Sequence, residues 1–407
     1  MPRICIVRRD YYPIVPHVRR DARALRQAGY DVDVVCLRAP GQRAREWVEG
    51  VRVYRLPQGK RRGGAFRRLL DYVAFFLCSA AVLSFLHLRK RYDAIEIDTM
   101  PDFLVFAALV PKLLGAKVVL YLFECMPEIF EHDYRLSPGH PLVRVLRFVE
   151  RHACRFAHHV VYCGAPYRRL QEPRVGKDIP GTDVLNVPDE ALFPPSRVTP
   201  PRLDLDGRPF RLITHGSLLE RYGVQTLIRA VPLMRAEVPH LEVYVVGDGE
   251  YLPALRALSR ELGVEDTVVF TGRVPPDEVA TFIAEADVGV VCFFHHHAIA
   301  SKLFEYMAMQ RPVVHAATRF TMELCANGEV LFYPPGNAEE LARCVVHLYR
   351  NPGERRALVE RASRLYQECR WSVTRERYLD VYRRLVGAPR PRGARTMEEE
   401  PSPVGSR

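Results

Sequence analysis

Apolar, β-branched runs of four to seven residues recur along the chain: ICIV, VDVVCL, VRVYRL, AIEI, KVVLYLF and HVVYC up to residue 163, then FRLIT, LEVYVV, TVVF, VGVVCF and PVVHA from residue 210. Strands apolar on both faces and separated by helix-length segments belong to parallel sheets covered by helices on either side. Between the two series, residues 188–209 hold six prolines in 22 positions, the composition of a connection. The pattern predicts an α/β protein of two doubly wound Rossmann-like domains, residues 1–187 and 208–369, joined by a Pro-rich linker over 188–209. An Arg-rich amphipathic helix is expected over 370–386 and a disordered tail over 387–407. At 407 residues the chain is long enough for two cores.

One apolar run departs from the strand pattern. YVAFFLCSAAVLSFL, residues 72–86, is helix-length, and residues 60–91 around it carry eight basic side chains (Lys60, Arg61, Arg62, Arg67, Arg68, Arg89, Lys90 and Arg91) against Asp71, a net of +7. Fifteen apolar residues fall short of the ~20 that span a bilayer. A helix over 65–91 lying in an anionic membrane surface fits, and so does a core helix with solvated charged ends. The chain's formal charge of +11 thus has a location. Without a helix-turn-helix, zinc-ligand spacing or interleaved aromatics it does not indicate a nucleic-acid partner. The ten cysteines contain no C-x-x-C pair, and the start MPRICIVRR is no signal peptide. Together these place the protein in a reducing cytoplasm.

Open α/β sheets bind ligands beyond the carboxyl ends of their strands. In the second half, HGSLLERYG, GDGEY, TGRVP and HHHAIAS follow successive strands. Gly216, Ser217, Gly247, Gly249 and Gly272 would let backbone approach a phosphate. Residues 295–314, HHHAIASKLFEYMAMQRPVV, contain one of only six lysines among 59 basic residues. A helix starting at Ser301 puts Lys302, Glu305, Tyr306 and Met309 on one face, with Leu303, Phe304, Met307 and Ala308 opposite. Free N–H groups of Ser301, Lys302 and Leu303 with the lysine charge suit a diphosphate, and Glu305 suits vicinal ribose hydroxyls. The same spacing also describes a solvated Lys–Glu pair. GDGEYL lacks the third glycine of a dinucleotide fingerprint, no phosphate-loop motif occurs, and neither the histidine run nor the D-x-D pairs have metal-ligand spacing. No metal and no tightly bound cofactor is expected.

HGSLLERYGVQTLIRAV, VVGDGEYLPALRALSRELGVEDTVVFTGRVPPDEVATFIAEADVGVV and ASKLFEYMAMQRPVVHA together resemble the glycosyltransferase family 4 enzymes, and VRRDARALRQAGYDVDVV and LNVPDEALF are similar to them. The resemblance implies the GT-B architecture, two Rossmann-like domains facing a cleft. It also implies retaining hexosyl transfer from a nucleotide-diphosphate sugar, the donor's own phosphate helping to deprotonate the acceptor. It assigns Arg221 and Lys302 to the pyrophosphate, Glu305 to the ribose and Arg273 to the neighbourhood of the base. This chain departs at three places on the sugar and acceptor side: His297 stands where many members have a second Glu, Pro16-His17 where many have Gly-Gly, and Phe123-Glu124 where many have a catalytic-site His. Gln310 also replaces a helix-ending Gly. His297 and Glu124 become the candidate catalytic residues. The expected partners are a nucleotide-sugar donor, a lipid-linked or glycan acceptor and an anionic membrane surface at its inner face. The alternatives are a nucleotide-sugar epimerase or hydrolase of the same fold, or a non-catalytic nucleotide-sugar-binding scaffold.

Overall fold

The computed structural model describes residues 1–59, 65–176, 178–194, 198 and 207–389. Its first sheet contains β1 (Arg3–Tyr11), β2 (Asp31–Leu37), β3 (Arg45–Val48), β4 (Val51–Leu56), β5 (Ala94–Asp98), β6 (Lys117–Leu122), β7 (His159–Tyr162) and β8 (Gly181–Asp183). They run in the order β3-β4-β2-β1-β5-β6-β7-β8, parallel except for β3 against β4. The second sheet contains β9 (Phe210–His215), β10 (Leu241–Val246), β11 (Val268–Gly272), β12 (Val288–Val291), β13 (Val313–Ala316) and β14 (Leu331–Tyr333). Its order is β11-β10-β9-β12-β13-β14, parallel throughout.

Each of the short β-branched runs is a strand, because a strand covered on both faces must be apolar at successive positions. Ile4 to Val7 and Val118 to Leu122 are wholly buried. The three strands without such a run are short edge pieces: Arg45–Val48 alternates half-buried with exposed, Gly181–Asp183 has no large apolar residue, and Leu331–Tyr333 is three residues long. Strand order reverses at β1/β5 and again at β9/β12. A crevice opens beyond the carboxyl ends of the strands at each reversal, and the two crevices share one cavity.

Trp371–Val386 is a helix, and it crosses back onto the first domain. The Arg20 guanidinium lies 4.0 Å from the Trp371 ring centroid, and Tyr378 donates to Glu96 Oε2 at 2.9 Å. Two aromatic hydroxyls, those of Tyr378 and Tyr382, thereby meet on one oxygen of Glu96, a fully buried carboxyl on β5 whose pKa burial and then Asp98 push well up.

The apolar run of the first domain lies in the helix Ala65–Lys90, packed on one side only. The helix packs against the 3-10 segment Asp102–Ala108, where the Phe76 ring meets Phe103 edge-on; Phe75, Ser79, Leu83 and Leu86 are buried, whereas Leu70, Val73, Leu77, Phe85 and Leu88 are exposed. Among the described residues this is the helix long and apolar enough to cross a membrane by length and composition. Its most apolar window has mean hydropathy 2.1, yet only 22 % of that window is buried, so it is not a covered core helix. Exposed Leu109, Val110, Leu113 and Leu114 lie on the neighbouring helix Leu109–Leu113 and its end. Lys60, Arg61 and Arg62, most of the 188–209 linker's second half and the tail from 390 lie outside the described residues.

Candidate active site

A cavity of about 480 Å³ lies between the two sheets, within the range of small-molecule sites. Its second-domain wall is built from the end of β9 and the helix Ser301–Ala308. Gly216 leaves β9 with φ +115°, a backbone conformation that favours glycine, and the Lys302 ammonium lies beside it, 3.7 Å from where a Cβ would stand. Ser217, Ser301, Lys302 and Glu305 all line the cavity. Ala300 caps the helix with extended backbone and no side-chain hydrogen bond, which leaves the N–H groups of Ser301 and Lys302 without intrahelical acceptors.

Three groups set the electrostatics of this wall. Lys302 makes no hydrogen bond or ion pair among the described residues, and burial lowers its pKa while Cys292 and Glu305 oppose that shift. Glu305, its side chain 17 % exposed, is pushed by burial up to about 7, with Lys302 pulling the other way. His215 Nε2 lies 3.3 Å from Glu305 Oε2; burial and then Lys302 hold this imidazole well below its usual pKa, so it faces the carboxyl as a neutral ring. A desolvated cation and a carboxyl without a cationic clamp, both facing a cavity, are poised for ligand groups.

The first-domain wall carries Arg8 from β1, His17 from the helix Pro16–Gln27, and Phe123 and Glu124 from the loop after β6. Arg20, Tyr167, Asn186 and Asp189 also line this side, and Tyr222 reaches the cavity from the second domain. Sequence reasoning did not select Arg8, Arg20, His215 or Tyr222. The signal for Arg8 was its place at the end of the first strand, the rule applied above to the second domain alone.

The other candidates are placed less directly. Glu124 lines the cavity; His297 does not, its ring packing edge-on to Phe320 at 5.4 Å while its N–H donates to His295 Nδ1. Arg221 extends to the first domain, where Nη1 donates to Asp133 Oδ2 at 3.2 Å, and its guanidinium lies beside Tyr222. Arg273 is exposed beyond the rim, although Val274 next to it lines the cavity.

Three expectations are corrected by packing. Leu303 is wholly buried and its N–H donates to Ala300 O, so neither side chain nor amide is free for a ligand. Tyr306 and Met309, expected on the cleft face, are also buried, with the Tyr306 hydroxyl donating to Ile213 O at 3.2 Å. The helix is wedged against β12, β13 and the helix Pro352–Cys369, so only its first turn reaches the cavity. Gly247 and Gly249 serve packing: a Cβ would fall 1.9 Å from Gly216 O and 2.2 Å from Leu218 O respectively, and neither residue lines the cavity. They hold β10's exit loop against the loop that carries Ser217.

Residues 14–179 match a family model described as glycosyl transferase 4-like domain, and residues 209–351 one described as glycosyl transferases group 1. The chain belongs to the family-4-like glycosyltransferases. The fold of this glycosyltransferase is that of solved GT-B structures. It matches sucrose-phosphate synthase from Thermosynechococcus elongatus with a TM-score of 0.76 at 19 % identity, over 95 % of this chain and 99 % of that one. It matches Anabaena HepE in complex with UDP-glucose at 0.68 and 18 %, over 94 % and 99 %. Among curated relatives, the lipopolysaccharide core biosynthesis glycosyltransferase LpsE of Rhizobium meliloti (strain 1021) is 29 % identical over 44 % of this chain and 49 % of its own. A GDP-mannose-dependent α-(1-6)-phosphatidylinositol monomannoside mannosyltransferase of Mycolicibacterium smegmatis is 39 % identical over 21 % of this chain and 22 % of its own. The matched stretches thus span half or less of these curated relatives.

Proposed function

We propose that this glycosyltransferase moves a hexosyl group, with retention, from a nucleotide-diphosphate sugar to a hydroxyl of a lipid-linked or glycan acceptor at a membrane surface. The convergence of Lys302, Glu305 and the uncapped helix start at Ser301 on one wall of the interdomain cavity carries this reading. Lys302 and the N–H groups of Ser301 and Lys302 meet the diphosphate, and Glu305, beside the neutral His215 ring, accepts hydrogen bonds from the ribose. When the anomeric bond breaks, its electron pair leaves with the diphosphate. The acceptor oxygen bonds to the anomeric carbon on the same face and its proton passes to the departing phosphate oxygen. The protein then supplies position and charge stabilisation, not a nucleophile, and a divalent ion is not required to neutralise the leaving group.

The acceptor side draws on the exposed stripe from Leu70 to Leu88 with Arg89 and Arg91 at its end, a surface suited to anionic headgroups over an apolar layer. HepE has been solved with UDP-glucose, LpsE is named for lipopolysaccharide core biosynthesis and the mannosyltransferase for a phosphatidylinositol monomannoside, which is consistent with this reading. The test is transfer from a panel of nucleotide sugars to lipid-linked acceptors in excess chelator, with the product's anomeric configuration read by NMR. An inverted product, or activity that returns only with a divalent metal, overturns the mechanism. Binding of nucleotide sugars without transfer to any acceptor favours the scaffold alternative.

A further inference from the structure

The cavity's first-domain wall holds a histidine that none of the roles above uses. His17 stands at the second position of the helix Pro16–Gln27, and Pro16 at the first position fixes its entry. Its ring lies over that of Phe123 with centroids 3.9 Å apart. Phe123 occupies the place after β6 where the family resemblance implies an imidazole, so a ring from another loop stands against the substituted position. Side-chain exposure is 11 %, and Nε2, fully enclosed, lies 3.9 Å from Asp98 Oδ2 on β5 with no hydrogen-bond partner among the described residues. Asp98 is itself buried beside Glu96, which the C-terminal helix clamps through Tyr378 and Tyr382. The enclosed nitrogen thus faces the carboxyl, and Nδ1 is the nitrogen the ring can offer to the cavity. Burial, then Arg8 and Arg20, hold the ring well below the usual histidine pKa, and the helix start adds to this. A neutral imidazole makes one directed hydrogen bond without adding charge.

We infer that His17 is a substrate-contacting residue of the transfer reaction, its Nδ1 hydrogen-bonding a hydroxyl of the sugar being transferred, with the Phe123 ring supporting the imidazole. This rests on the reading of the opposite wall as the nucleotide site, since a sugar attached to a diphosphate held at Lys302 extends across the cavity towards the first domain.

Calorimetry with UDP, UDP-glucose, GDP and GDP-mannose on the full chain separates the two claims. Lys302→Ala should lose nucleotide and nucleotide sugar alike. His17→Ala and the gentler His17→Gln should keep the nucleotide within about twofold and weaken the matching nucleotide sugar about tenfold, the loss of one hydrogen bond. Phe123→His placed in His17→Ala should recover part of that loss by returning an imidazole to the same place. In ¹⁵N-histidine spectra the His17 Nδ1 resonance, assigned by its absence in His17→Gln, should shift with nucleotide sugar and not with nucleotide alone. Equal weakening of nucleotide and nucleotide sugar in both His17 variants, or an unmoved Nδ1 resonance under saturating nucleotide sugar, overturns the inference and leaves the nucleotide site standing. A wild-type protein that binds none of the four removes both.

Discussion

Glu305→Gln tests whether the ribose carboxylate is held at the expense of folding stability. Burial raises its pKa from the ordinary 4.5 to about 7. Below pH 4.5 the carboxyl is protonated folded and unfolded, and no penalty exists. Between 4.5 and 7 the folded chain retains a proton that the unfolded chain releases, so stability falls as pH rises, and above 7 the whole cost is present. At about 1.4 kcal/mol per pH unit the cost reaches about 3 kcal/mol. Glutamine has the same shape without the titration. The variant should match wild type near pH 4.5 and melt roughly 6 to 12 °C higher at pH 8, for a cooperative unit of 150–250 residues. It should also bind nucleotide more weakly by about 1.5 to 3 kcal/mol, having lost a charged acceptor. Thermal melts without ligand across this pH range, with calorimetry at pH 8, provide both readouts. Parallel melting curves for variant and wild type at every pH would refute the burial reasoning, and unchanged nucleotide affinity would refute the assignment of Glu305 to the ligand.

Other outcomes follow from the same geometry. Lys302→Ala should weaken UDP or GDP binding by about 1.5 to 3 kcal/mol while leaving the melting temperature at neutral pH the same or higher, since the ammonium is desolvated without a partner; calorimetry and melts decide it. Gly247→Ala puts a methyl group where Gly216 O stands, 1.9 Å away, and should destabilise by more than about 3 kcal/mol in denaturant unfolding. Leu77→Glu with Phe85→Glu, both on the exposed stripe, should change stability by under about 0.5 kcal/mol each and abolish sedimentation with anionic liposomes; retained sedimentation would remove this helix from the membrane proposal. Tyr378→Phe takes one hydroxyl from the buried Glu96 and should cost about 1 to 3 kcal/mol, read from the first domain's unfolding.

Much of the fold was legible because parallel sheets buried on both faces oblige their strands to be apolar at successive positions, a rule that holds whatever the neighbours are. The same rule, extended to strand ends, located Gly216, Ser217, Ser301, Lys302 and Glu305, which sit within one strand exit and one helix turn. Legibility stopped where position depends on segments distant in sequence. Arg221 is drawn to Asp133 on the first domain, and Tyr306 and Met309 are buried by elements that helical periodicity does not reveal. Gly247 and Gly249 read as ligand-facing glycines and turned out to be packing glycines, because composition does not say which backbone will press on which. The helix Trp371–Val386 was legible as a helix but not in its place: its tyrosines donate to Glu96 on β5, nearly three hundred positions back. His17 meets Phe123 from a separate loop. The sequence by itself determined the elements, their layering and the chemistry of one wall, since local burial leaves a local pattern. Only the tertiary structure decided which loops of the first domain form the other wall, because that depends on contacts between residues more than a hundred positions apart, where no periodicity connects them.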